Sequence, residues 1–122
     1  MANVLGIGGV FFKCNDRDTL TAWYEQHLGF NIGEYGGTEF RTNTLPDSAY
    51  CVWGPFRGDT EYFAPSTKDF MINFMVDDLD GVLARAEAGG ATLVGEVEEY
   101  DYGRFGWFLD PEGNKIELWQ PA

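Results

Sequence analysis

One order of segments occurs twice in these 122 residues: an apolar strand, a capped helix, a glycine, then short strands. That repetition limits the possible folds more than any single residue does. Asp16 and Asp78 stand 62 positions apart, each where a helix N-cap belongs; Gly29 and Gly90 stand 61 apart, each where a helix ends. The first copy opens with the apolar run Val4–Lys13. It continues with helical spacing of Leu20, Trp23, Tyr24, His27 and Leu28, and closes with strand candidates at Asn31–Tyr35, Glu39–Thr42 and Tyr50–Trp53. The second copy opens with Phe70–Val76. Its helix carries Leu79, Val82, Leu83 and Ala86, and its strands are Thr92–Val94, Gly103–Leu109 and Lys115–Trp119. Asp110-Pro111-Glu112-Gly113-Asn114 reads as the tight turn before the last strand, with Pro and Gly where a type I turn takes them. Gly54–Lys68, rich in Gly, Pro, Asp and Thr, has the composition of a linker.

The organisation expected is one α+β domain of two βαβββ modules, at about residues 1–55 and 69–122 and joined by 56–68. A module of roughly 60 residues buries too little surface to be stable alone. Two must therefore pack together, within a chain or between two, and a cleft forms where curved mixed sheets face each other. Pairing within one chain and pairing swapped between chains both fit.

Charge and composition narrow the function classes. A formal net charge of −12 repels phosphates and anionic lipid heads, so neither nucleic acid nor a membrane surface is an expected partner. The apolar run Val4–Phe12 lacks a basic flank and a small-residue cleavage pattern, and no run is long enough to span a bilayer. With two cysteines, Cys14 and Cys51, in no zinc or disulfide spacing, the reading is a cytoplasmic protein with reduced thiols. Ten Phe, six Tyr and four Trp supply aromatic surfaces for a core or a binding cavity.

Three pieces then resemble a known group. Trp23-Tyr24-Glu25-Gln26-His27-Leu28-Gly29-Phe30 is similar to the helix-exit signature of glyoxalase-like proteins, and Asn73–Asp80 to the entry of their second module. Phe108–Trp119, with its Asp-Pro-Glu-Gly-Asn turn, is similar to their closing signature. The chain thus resembles the vicinal-oxygen-chelate superfamily of glyoxalase I, bleomycin-resistance proteins and extradiol dioxygenases. The resemblance implies paired βαβββ modules around a cavity, usually in a homodimer, and a divalent metal held by one side chain from each of four strands.

Carried over position by position, that metal site is mostly missing. Glu117 supplies the last-strand carboxylate, but Gly9 and Met71 stand where ligand histidines belong. The fourth position falls within Ser48–Trp53, in unfixed register and with no Glu. The only histidine, His27, lies at a helix end. The expectation is therefore no divalent metal and no other cofactor. The function expected is binding of a small molecule in an aromatic cavity. The alternative is a lyase, isomerase or dioxygenase of this group using Glu117, the best single catalytic candidate. Candidate substrate-binding residues are Lys13, Trp53, Asn73, Arg104, Trp107 and Glu117: two cations for an anionic group, two indoles for stacking, and an amide and a carboxylate that need partners on apolar strands. Strand alternation places Lys115 and Trp119 on the Glu117 face. Tyr62 and Phe63, in the linker, are read as packing across a dimer interface.

Overall fold

The structure, a computed structural model, describes Ala2, Leu5 and residues 7–122. Its two helices begin and end where the sequence places them. Helix α1 spans Arg17–Leu28. The Asp16 carboxylate accepts from the Thr19 backbone N–H at 3.0 Å, satisfying one of the amides that a first turn leaves free. Gly29 closes the helix at φ 72°, a left-handed conformation that costs glycine least. Helix α2 spans Leu79–Ala88 and is capped the same way by Asp78 onto Gly81 N–H.

Four strands make one mixed sheet: β1 (Ile72–Met75), β2 (Thr92–Tyr100), β3 (Gly103–Leu109) and β4 (Lys115–Pro121). Their order across the sheet is β1-β4-β3-β2, with β1 parallel to β4 and the other pairs antiparallel. β2 runs well past the expected Thr92–Val94, with its register to β3 broken between Val94 and Glu98. The second half is thus a complete βαβββ module.

Side chains alternate across the sheet, so each face has its own composition. On one face Ile72, Phe74, Phe108, Ile116 and Leu118 pack under α2, whose Leu79, Leu83 and Ala86 complete the core. Phe108, Ile116 and Leu79 are wholly buried. Burying each such side chain contributes about 1.5–3 kcal/mol. Gly106 lets the helix approach: a Cβ there would meet Leu83 Cδ1 at 2.8 Å.

The first half joins this core chiefly through α1, with Phe30 and Phe40 packing on Phe74 beside it. Trp23 donates its indole N–H to the Gly89 carbonyl at 2.8 Å and packs 6.0 Å from the Phe108 ring. The Tyr24 hydroxyl donates to Asp110 Oδ2 at 2.9 Å. Asp110 also accepts from Glu112 N, Asn114 N and Asn114 Nδ2, so the turn before β4 is stapled through one buried carboxylate. Glu112, in the same turn, accepts from the backbone N–H groups of Asn15 and Asp16 at 2.6 and 2.7 Å, which fixes the entry to α1.

The expected strands of the first half are a correction. Among the described residues, Leu5, Ile7–Lys13, Asn31–Tyr35, Glu39–Thr42 and Tyr50–Trp53 form no strand; Val4 and Gly6 of the first run lie outside the described residues. A 3-10 turn at Thr42–Thr44 is their only regular element. Strand propensity needs a neighbour to complete its hydrogen bonds. The second-half strands have one another, whereas the first-half segments are cut by Gly8, Gly9, Gly33, Gly36 and Gly37 and find no ladder partner among the described residues.

Candidate functional site

The sheet face away from the helices carries the chemistry. In the parallel β1–β4 pair Asn73 lies opposite Glu117, and in the antiparallel β3–β4 pair Trp107 lies opposite Glu117. Residues opposite each other in a ladder project from the same face. Three side chains that are distant in sequence therefore stand in one row with the carboxylate in the middle.

That carboxylate is the centre of a hydrogen-bond cluster. Asn73 Nδ2 donates to Oε1 at 2.8 Å, and Trp107 Nε1 donates to Oε2 at 2.8 Å. The Tyr62 hydroxyl, arriving from the linker, donates to Oε2 at 2.7 Å. An ionised carboxylate accepts through both oxygens, and three neutral donors stabilise its charge without a counter-ion in direct contact. Lys115, two residues before Glu117 and only 7% exposed, donates through Nζ to the Tyr62 carbonyl at 2.6 Å. Its ammonium lies 4.9 Å from the Tyr62 ring centroid and 5.9 Å from that of Trp107, within cation–π reach. Burial pushes the Lys115 ammonium below its ordinary range, and the Glu117 charge acts in the opposite sense. Burial first, and then the hydrogen bond to Glu117, push the Tyr62 phenol above its ordinary value of 10.0.

Aromatic rings surround the cluster. Phe56 stacks on Tyr62 at 5.6 Å, and Trp107 meets Tyr62 edge-on at 6.4 Å. Farther along β4, Trp119 stacks on Phe105 and receives Tyr50 edge-on at 4.9 Å, which brings part of Ser48–Trp53 beside this face.

The other candidates lie elsewhere. Arg104 alternates with Trp107 along β3 and projects from the helix side of the sheet. There its guanidinium bridges Asp80 of α2, at 3.2 Å, and Glu99 of β2, at 3.0 Å. Arg104 therefore ties α2 to the sheet and shares no cavity with Trp107. Lys13 is exposed, and Trp53 is 80% exposed. Tyr62 sits over Glu117 within the chain, a place the linker's composition gave no signal for. Alternation did place Lys115 beside Glu117. A cavity of about 420 Å³ lies on the opposite side, between β1, the end of α1, the middle of α2 and the Phe30–Phe40 loop, away from Glu117.

The donor set bears on the metal that the resemblance implies. Tyr62, Asn73 and Trp107 present hydrogens to Glu117, and Lys115 adds a positive charge beside it. Gly9 is exposed and has no side chain to offer. Among the described residues no three His, Cys, Asp or Glu side chains come together in a group able to hold a metal ion.

Comparison with known proteins places this architecture. A family model described as a glyoxalase-like domain matches residues 9–119. Among solved structures, a glyoxalase family protein from Bacillus cereus is 30% identical, with a TM-score of 0.43 over 48% of this chain and 40% of that one. The chain thus spans less than half the length of that protein. A glyoxylase/bleomycin resistance protein/dioxygenase domain from Frankia sp. EAN1pec is 17% identical, with a TM-score of 0.58 over 98% of this chain and 100% of that one. TnmS3, an antibiotic binding protein from Streptomyces sp. CB03234, is 20% identical, with a TM-score of 0.53 over 89% of each chain. The two longer alignments are likenesses of fold. No curated protein matches the sequence. With the family model covering nearly its whole length, the chain belongs to the glyoxalase-like domain family.

Proposed function

We propose that this protein binds a small organic molecule on the Glu117 face of its sheet, without a divalent metal. The observation that carries the reading is the Glu117 cluster itself. A carboxylate, a buried ammonium and an amide are set among Tyr62, Trp107 and Phe56, the mix of apolar walls and few polar anchors found in small-molecule sites. Sharing a fold with an antibiotic binding protein is consistent with this and does not carry it. The metal-free part rests on a donor set of one carboxylate facing N–H and O–H groups, with an ammonium nearby that opposes a dication. Use of Glu117 as a general base is the weaker reading, because each of its oxygens already accepts from a donor fixed in the sheet, Asn73 at Oε1 and Trp107 at Oε2.

A homodimer is part of the proposal. Ten of the sixteen exposed large hydrophobic residues among the described residues lie at or before Trp53, including Leu5 at 99% and Phe11 at 93%. Apolar surface of that extent calls for a cover, and a second copy presents the matching surface.

The test is a fragment screen on nitrogen-15-labelled protein, read at the Trp107 indole N–H, with sedimentation to measure mass. Saturable movement of that resonance by organic fragments, in a particle of twice the chain mass, is the expected result. A screen that never moves it sinks the binding reading. Retention of about one Zn, Ni, Mn or Fe(II) ion per chain after dialysis sinks the metal-free part.

A further inference from the structure

Of the groups around Glu117, Tyr62 alone comes from outside the sheet. The contacts that hold its ring come from the sheet or from the linker's own Phe56 and Phe63. Glu117 accepts its hydroxyl, Trp107 meets its ring edge-on, and the Lys115 ammonium lies over its face. Two hydrogen bonds fasten Tyr62 to the sheet: its hydroxyl to Glu117, and its carbonyl from Lys115. Tyr62 is 42% exposed, and most of the linker around it is exposed as well. A phenol held at a sheet face by fixed partners, on a segment with little burial of its own, is a displaceable occupant.

We propose that the Glu117 face is a subsite for aryl-hydroxyl ligands, and that Tyr62 fills it from within the chain until such a ligand displaces it. The inference rests on the binding reading above and names its ligand class. The acceptor is Glu117 Oε2, which takes the ligand hydroxyl while still accepting the Trp107 N–H. The face is read by Lys115, and the edge by Trp107. Once the Tyr62 carbonyl leaves, Lys115 gains a free N–H for a second oxygen on the ligand. The arrangement selects against non-hydroxylated arenes, because displacing Tyr62 with one leaves Glu117 short of a donor. Simple arene carboxylates are disfavoured too, since their charge would face Glu117.

The experiment uses the full chain and its Tyr62→Ala and Tyr62→Phe variants, titrated with 4-ethylphenol and with ethylbenzene. The readout is the Trp107 indole N–H, whose hydrogen bond to Glu117 reports on the site. Tyr62→Ala removes a part-exposed side chain, and the amide spectrum of each variant checks that the fold is kept. The expected result is saturable binding of 4-ethylphenol that is weakest in the wild-type chain, intermediate in Tyr62→Phe, which loses one fastening, and tightest in Tyr62→Ala. In Tyr62→Ala the preference for 4-ethylphenol over ethylbenzene is about tenfold, the worth of one hydrogen bond to a charged acceptor. Equal binding of the two compounds overturns the hydroxyl selectivity and leaves small-molecule binding standing. Phenol affinity that is unchanged on removing Tyr62 overturns its role as occupant. No response to either compound in Tyr62→Ala overturns the subsite, whatever other fragments do to the wild-type chain.

Discussion

The two halves of this chain start from the same plan and end in different states. Residues 69–122 build a sheet whose strands complete one another, over a core in which Phe108, Ile116 and Leu79 are fully buried. Residues 1–55 build one good helix and leave Phe11, Trp53 and Leu5 in contact with solvent. Among the described residues of the first half, only Leu20 and Tyr24 are buried hydrophobic residues. Helix hydrogen bonds close within the segment, so α1 forms wherever it can lay one face down. A strand needs a second segment, and pattern alone does not supply one. The comparison separates structure that a segment encodes for itself from structure that it borrows.

The sharpest way to break that contrast is to truncate one phenylalanine from each half. Phe108→Ala empties a fully buried site and is expected to cost about 3–5 kcal/mol. Phe11→Ala removes a ring that is 93% exposed and should change single-chain stability by less than about 0.5 kcal/mol. Urea unfolding at two protein concentrations checks both. A Phe11→Ala loss that grows with protein concentration identifies the cover as a second copy of the chain.

A smaller effect is expected at the joint between the halves. Asp110→Ala strands the buried Tyr24 hydroxyl and Asn114 amide, which now share its carboxylate, and should cost about 3 kcal/mol. Amide hydrogen exchange should show α1 losing protection before β3 and β4. Loss of protection throughout would mean that the turn supports the sheet rather than the joint.

The smallest effect is confined to acid. Glu112 is held below its ordinary carboxylate value of 4.5, chiefly by the backbone N–H of Asn15 and then by that of Asp16. A carboxylate depressed in the folded state contributes stability above its ordinary value, and that contribution is lost as pH falls through the folded value. Glu112→Gln should therefore be less stable than the wild-type chain near neutrality, with the gap closing only below pH 4.5. Urea midpoints across that range read it. A gap that stays constant with pH would mean that the amide replaces nothing electrostatic and the loss is one of shape.

Legibility followed the same physics as folding. Helix ends were readable because Asp16, Asp78 and Gly29 act on backbone groups within a few residues. Glu117 stood out because a carboxylate between Ile116 and Leu118 needs partners, and two of them, Asn73 and Trp107, were among the candidates. Arg104 was read as a cation for an anionic group on a ligand, whereas it pairs with Asp80 and Glu99, because the face it takes follows from the β3 register. Tyr62 was not readable as a site residue. It meets Glu117 across 55 positions, and nothing in a linker's composition says which way a tyrosine turns.

By itself, then, the sequence determined the capped helices, the second-half strands and the closing turn, because short-range hydrogen bonding and the alternation of side chains write them locally. Only the tertiary structure decided which strands find partners, that Asn73, Glu117 and Trp107 stand in one row, and that Tyr62 lies over them. Those outcomes depend on strand register and on contacts between distant segments, whose free energy belongs to the assembled sheet and to no one stretch of chain.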